Sequence, residues 1–185
     1  TCVAPEVREA MLPFFNELYG NPSSMHAFGG QVARHVQEAR EKVAAFLHAD
    51  PAEIVFTSCG TESDNMAIRG SAEVLGPTAR VITSRVEHPA VLGPCRRLRD
   101  QGHREIEIPV DGAGQLDLEA LREALKGGAP AIVSLMWANN ETGVVFPMEP
   151  IAALVKAAGA VLHTDAVQAA GKIPIDVRQI GRAHV

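Results

Sequence analysis

The spacing of apolar positions switches repeatedly between a helical and a strand period. Within residues 29–47, Val32, Val36, Ala39, Val43 and Phe46 recur on one helical face, with Arg34, Glu38 and Glu41 opposite. The short apolar run 54–57 predicts a buried strand. Residues 61–74 predict a helix, with Thr61-Glu62-Ser63-Asp64 as a variant capping box at its start. A strand over 80–84 follows, then a helix from about Pro89, a residue suited to a first helical turn. The same reading gives a strand at 105–109, a helix at 118–125 and an apolar strand at 131–136. A helix at 150–158, stopped by Gly159, and a strand at 161–164 complete the series.

Strands that alternate with helices and are apolar on both faces imply an α/β fold: a mostly parallel sheet with helices on both faces. The ends read differently. A helix over 5–18 would be kinked by Pro13, and Gly20-Asn21-Pro22-Ser23-Ser24 is rich in turn residues. We therefore expect an N-terminal arm at 1–19, the α/β region at 20–179 and a separate tail at 180–185.

Composition narrows the function classes. The 185 residues are 46 % hydrophobic and 21 % charged, ordinary for a soluble domain with a real core. A formal net charge of −5 argues against nucleic acid or an anionic membrane as partner. No apolar run approaches the ~18 residues that span a bilayer, and no secretory signal pattern opens the chain. Cys2, Cys59 and Cys95 form no CxxC, so the spacing suggests neither a metal site nor a disulfide framework. Reduced thiols in a cytoplasmic protein are expected.

In open parallel sheets, ligands bind beyond the carboxyl ends of the strands. Ser58-Cys59-Gly60-Thr61-Glu62-Ser63 follows the first expected strand, and small residues entering a helix leave N–H groups that suit a phosphate. The plain alternative is an ordinary helix cap. Glu87-His88-Pro89 follows the strand at 80–84; its histidine suits stacking or proton transfer, or simply a cap. Asn139-Asn140 in Trp137-Ala138-Asn139-Asn140-Glu141-Thr142-Gly143 would be costly to bury unpaired, yet asparagine also serves turns. Asp165, with Gln168 after it, suits a protonated ring nitrogen, or a helix N-cap. Each plain alternative is the stronger one taken singly. Together, four strand ends offer what a flat, phosphorylated heterocycle with a basic ring nitrogen needs.

Four segments also carry a resemblance. Phe56-Thr57-Ser58-Cys59-Gly60-Thr61-Glu62-Ser63, Val86-Glu87-His88-Pro89-Ala90-Val91, Met136-Trp137-Ala138-Asn139-Asn140-Glu141-Thr142-Gly143 and His163-Thr164-Asp165-Ala166-Val167-Gln168 resemble cysteine desulfurases of the NifS/IscS family in wording, order and spacing. The wording is nearest the nitrogenase-associated NifS branch. The resemblance implies the large domain of a fold-type I transferase that uses pyridoxal 5'-phosphate. By the resemblance, Gly60 and Thr61 hold the cofactor phosphate, and His88 stacks on the ring and assists proton transfer. Asn140 contacts the ring hydroxyl side, Asn139 is structural, Asp165 pairs with the ring nitrogen, and Gln168 contacts the phenolic oxygen. The implied reaction takes sulfur from L-cysteine, leaves L-alanine, and forms an enzyme persulfide for iron–sulfur cluster assembly on a scaffold protein. The family is homodimeric.

Two family features have no counterpart in the sequence. No Ser-Gly-His motif with its cofactor-binding lysine occurs, and Lys172 matches a non-catalytic family position. The cysteine of the family's mobile loop is also absent, since Cys59 falls in the phosphate nest and Cys95 on a helix. The expectation is an N-terminal fragment, inactive by itself, poorly soluble and at best a weak noncovalent binder of the cofactor. Residues 180–185 match no family segment and read as a translated sequencing adapter. A selenocysteine lyase or another class V aminotransferase is the neighbouring alternative. A non-catalytic nucleotide-binding α/β domain is the alternative from another class.

Overall fold

Proline lacks a backbone N–H and starts helices more readily than it continues them. Accordingly α1 (Pro5–Met11) stops before Pro13, and α2 (Pro13–Asn16) begins on it. The computed structural model describes residues 2–128 and 130–180. The chain divides into two units, Thr1–Val55 and Phe56–Val185.

In the first unit the 20–24 turn is closed on Asn21. Its carbonyl accepts from Ser24 N at 3.0 Å, and its Oδ1 accepts from Ser23 N at 2.9 Å. Helix α3 (Ala27–Leu47) follows. A Cβ at Gly29 would lie 2.5 Å from the Asn21 carbonyl oxygen, so this approach of turn and helix requires glycine. The expected helix is present, but its apolar face is not covered: Val36 and Phe46 are 37 % and 49 % exposed.

The segment 54–57 corrects the sequence reading. It is extended but joins no strand of the sheet among the described residues, and Val55 is 64 % exposed. An apolar run becomes a buried strand only where neighbouring strands and covering layers receive it.

The second unit alternates as expected. Helix α4 (Gly60–Leu75) leads to β1 (Arg80–Ser84), α5 (Pro89–Asp100), β2 (Arg104–Ile108), α6 (Leu118–Leu125), β3 (Ala131–Ser134), α7 (Met148–Ala157) and β4 (Val161–His163). Gly159, at φ +66°, follows α7 in the left-handed conformation that ends it. The strands pair in parallel in the order β2-β1-β3-β4. β3 is two residues shorter than expected, because the chain turns at Leu135 to follow β4 and not β1: Leu135 N donates to His163 O at 3.1 Å.

Strand order decides where a site can form. The chain leaves β1 through α5 toward β2, then returns past β1 to β3 and continues to β4. Right-handed crossovers in opposite directions put α5 on one face, and α6 and α7 on the other. Val81 and Ile132, adjacent in register, pack on one face with Ile68 and Ala72 of α4 and Val91, Cys95 and Leu98 of α5. The alternate residues Ile82 and Val133, fully buried, face the other way. Connections diverge at the β1/β3 boundary, and a crevice opens at the carboxyl ends of those strands.

Candidate functional site at the carboxyl ends of the strands

The crevice is lined first by the turn after β1. His88 is the N-cap of α5, and its Nδ1 accepts from Ala90 N at 3.1 Å. That bond needs an unprotonated Nδ1, so the neutral ring carries its proton on Nε2, on an exposed side chain. A cleft of about 330 Å³ between α4 and α5 has both Thr61 and His88 on its walls. Two residues expected to share a site, 27 positions apart in the sequence, are thereby brought together.

Asn139 and Asn140 have opposite environments. Asn139 is buried, and its Oδ1 accepts from Glu141 N and Thr142 N at 2.9 Å each and from Thr142 Oγ1 at 3.1 Å. Its Nδ2 donates to Val86 O at 3.0 Å. Asn139 therefore builds the turn and ties it to the β1 turn. Asn140 is exposed, and among the described residues its side chain bonds only the neighbouring Glu141, at 2.7 Å, which leaves it able to turn to a ligand.

Beyond β4, Asp165 Oδ1 accepts from Val167 N at 3.0 Å, while Oδ2 has no partner among the described residues. Gln168 bonds the exposed Lys172 through its Oε1. The start of α4 lies beside this turn: a Cβ at Gly60 would be 3.6 Å from Val167 Cγ2.

The α4 terminus differs from the expected capping box. The helix begins at Gly60 with Cys59 as N-cap, two residues earlier than a Thr61 cap would require. Glu62 instead reaches back, and its Oε2 accepts from Ser58 N and Ser58 Oγ at 2.6 Å each. Those two bonds hold the Glu62 carboxyl below the usual carboxylate range. Glu62 takes up the Ser58 N–H but caps none of the N–H groups inside the helix.

Those helix N–H groups act on Cys59. Glu62 N–H first, then the Ser58 hydroxyl and Thr61 N–H, lower the exposed Cys59 thiol below its ordinary value. Burial has the opposite effect on Cys95, which is pushed up to about 12. Cys59 is therefore expected to react with iodoacetamide at near-neutral pH much faster than Cys95, by roughly tenfold or more. Peptide mapping after brief alkylation measures both rates; comparable labelling would contradict the nest.

The sequence reading assigned nothing to a group of buried polar residues beneath the crevice. His163 Nδ1 lies 2.8 Å from Ser134 Oγ, and His163 Nε2 lies 3.5 Å from Asp64 Oδ1. Glu87, 5 % exposed, approaches Ser84 Oγ at 2.5 Å, and its two oxygens accept from Met136 N at 3.0 and 2.9 Å. The only local signal was a glutamate between a strand end and His88. The rest come from β3, β4 and α4, far apart in sequence.

The donor set fits pyridoxal phosphate: uncapped helix N–H groups, a neutral imidazole, an adaptable amide and a carboxylate oxygen free to pair with a ring nitrogen. The strand order defines an open parallel α/β domain, a class that takes ligands at such a switch point. The chain belongs to the aminotransferase class-V family, whose sequence model matches residues 1–182. It is 54 % identical over 178 residues to the cysteine desulfurase of Trichormus azollae, covering 96 % of this chain and 44 % of that protein. The solved structure of a NifS-like protein superposes with a TM-score of 0.91 at 40 % identity, covering 97 % of this chain and 50 % of the other. That of SspA in complex with cysteine gives 0.92 at 34 % identity, covering 97 % and 52 %. The chain thus spans about half the length of the proteins it matches. Pyridoxal-phosphate use follows from this family membership. No described helix is long and apolar enough to cross a membrane. The arm expected at 1–19 lies within the first unit, and residues 181–185 of the expected tail lie outside the described residues; Ile180 is buried.

Proposed function

We propose that this chain is the cofactor-holding portion of a cysteine desulfurase, which takes sulfur from L-cysteine and releases L-alanine. One observation carries the reading: Asp165, whose Oδ2 has no partner among the described residues, sits on the same turn as Val167, which lies beside Gly60 at the start of α4. A ring nitrogen and a phosphate on one small molecule would be met by these two adjacent groups. Bound there, pyridoxal phosphate supplies an electron sink for charge that develops at the substrate Cα.

The chain's own residues divide the remaining work. Gly60 and Thr61 hold the phosphate at the positive end of α4. Asp165 keeps the ring nitrogen protonated, and His88 lies against the ring with its Nε2 proton available for transfer. Asn140 and Gln168 contact the ring hydroxyl, which requires Gln168 to leave Lys172. The boundaries that accompany this reading are an arm at 1–19, a cofactor domain at 20–179 and a non-native tail at 180–185. It also implies a cytoplasmic homodimer that passes sulfur to an iron–sulfur scaffold protein. SspA, named in its complex with cysteine, supports L-cysteine as the substrate.

The full-length product of the gene that contains this chain is expected to release alanine from L-cysteine in the presence of pyridoxal phosphate. Turnover of selenocysteine alone would move the assignment to a lyase. On the chain itself, pyridoxal phosphate should protect Cys59 from alkylation. Protection by ATP or NAD in its place would favour a nucleotide-binding domain.

A further inference from the structure

Glu87 is the one buried carboxyl that bridges the two turns of the crevice. It follows β1 by three residues and immediately precedes His88. Its oxygens accept from Met136 N, just before the 137–143 turn, at 3.0 and 2.9 Å. Ser84 Oγ, 2.5 Å from Oε1, in turn accepts from Val86 N at 3.3 Å. The bond from Asn139 to Val86 O adds a second tie between the same turns. His88 and Asn140 each adjoin one end of this pair of ties.

We propose that Glu87 is the positioning residue of the site, a buried carboxyl that holds the His88 turn against the 136–140 turn. The inference rests on the cofactor reading above for what the two turns grip, but not for the tie itself.

Ser84 Oγ donates to Oε1 and Met136 N donates to both carboxyl oxygens, so the buried carboxyl is held from both turns. The surroundings disfavour a negative charge. Burial pushes Glu87 up to about 8, partly offset by Ser84 and Met136, and the charges of Asp165 and Asp64 push the same way. Cys95 also faces this region, and His163 Nε2 lies 3.5 Å from Asp64 Oδ1. An acid held above its unfolded value of 4.5 contributes stability that is complete below that pH and is lost as pH rises through about 8. Near neutrality the tie is closed; in mild alkali a buried charge must form beside two carboxylates, and Met136 N then holds an anion whose desolvation favours opening.

Glu87→Gln separates positioning from charge. Its amide donates to Ser84 Oγ and its carbonyl accepts from Met136 N, so both contacts persist without a titrating proton. Amide NMR on the purified chain, from roughly pH 7 to 9, follows Met136 N–H and the Asn139 side chain without cofactor. Both signals should move with an apparent midpoint near 8 in the wild type and stay still in Glu87→Gln. Glu87→Ala should shift both at every pH. In parallel, pyridoxal-phosphate affinity should fall about tenfold more across this range in the wild type than in Glu87→Gln, the comparison cancelling the ligand's own titration. Unchanged Met136 N–H and Asn139 side-chain signals in Glu87→Ala would overturn the proposal. If the NMR profiles differ as expected but no variant binds pyridoxal phosphate, the cofactor reading falls and the role of Glu87 stands.

Discussion

Replacing Asp165 with alanine is expected to weaken pyridoxal-phosphate binding by roughly 10- to 100-fold, the loss of one charge-assisted hydrogen bond of about 1.5–3 kcal/mol. The side chain has two separable jobs. Oδ1 accepts from Val167 N and shapes the turn, while Oδ2 has no partner among the described residues. Asp165→Asn keeps a carbonyl oxygen for Val167 N but has no charge to pair with a ring nitrogen. It should therefore leave the melting temperature nearly unchanged and still lose most of the affinity. Titration followed by cofactor absorbance, beside a melting curve, checks both variants. Affinity equal to wild type in Asp165→Asn would remove the carboxylate from the cofactor site.

Arg80→Ala should be among the most destabilising single changes, at about 3–5 kcal/mol. Arg80 opens β1 and is buried, 7 % exposed. Its guanidinium donates to Ala124 O, to Lys126 O at 2.9 Å and to Leu125 O at 3.4 Å. These are carbonyls at the C-terminal end of α6, the negative end of its dipole. Removal takes the guanidinium donor from these carbonyls, of which that of Leu125 is on a buried residue, and empties the volume of the arginine stem. Urea unfolding of the second unit should show a lower midpoint at an unchanged slope. Arg80→Lys should recover only part of the loss, because an ammonium on a flexible stem cannot fork across successive carbonyls as a planar guanidinium does. A midpoint within experimental scatter of wild type for Arg80→Ala would show that these contacts contribute nothing net.

Both substitutions act at ends of strands, yet on different ends of the sheet. Arg80 belongs to the amino ends, where the polar groups hold the fold together. Asp165, His88 and Glu87 belong to the carboxyl ends, where the polar groups surround a crevice. The separation explains why Arg80→Ala should cost stability first and Asp165→Asn affinity first.

Most of the second unit could be read from local pattern. The strand at 80–84 and the helix at 118–125 have the expected bounds, because alternation of apolar runs with capped amphipathic stretches is a property of neighbouring residues. Asp117, whose side chain accepts from Ala120 N, starts α6 by the same local chemistry. The four motifs were legible for a related reason: each is a contiguous run of polar and small residues after an apolar one, although only three of them follow a strand. Where a structural outcome depends on residues far away in the chain, the local reading failed. The run 54–57 has the composition of a buried strand but lacks the pairing and cover that would make it one. A helical face was evident in α3, but whether Val36 and Phe46 are covered depends on what lies beside them.

The sequence by itself thus determined the α/β class, the order of elements in the second unit and the motifs that resemble a cysteine desulfurase, because periodicity, capping and motif order are written in adjacent residues. Only the tertiary structure decided which strands are neighbours, and so that the β1 and β3 turns meet at Glu87 and that Asp64, Ser134 and His163 lie in one buried chain. Polar contacts between residues 29 to 99 positions apart depend on register and crossover direction, for which no local pattern exists.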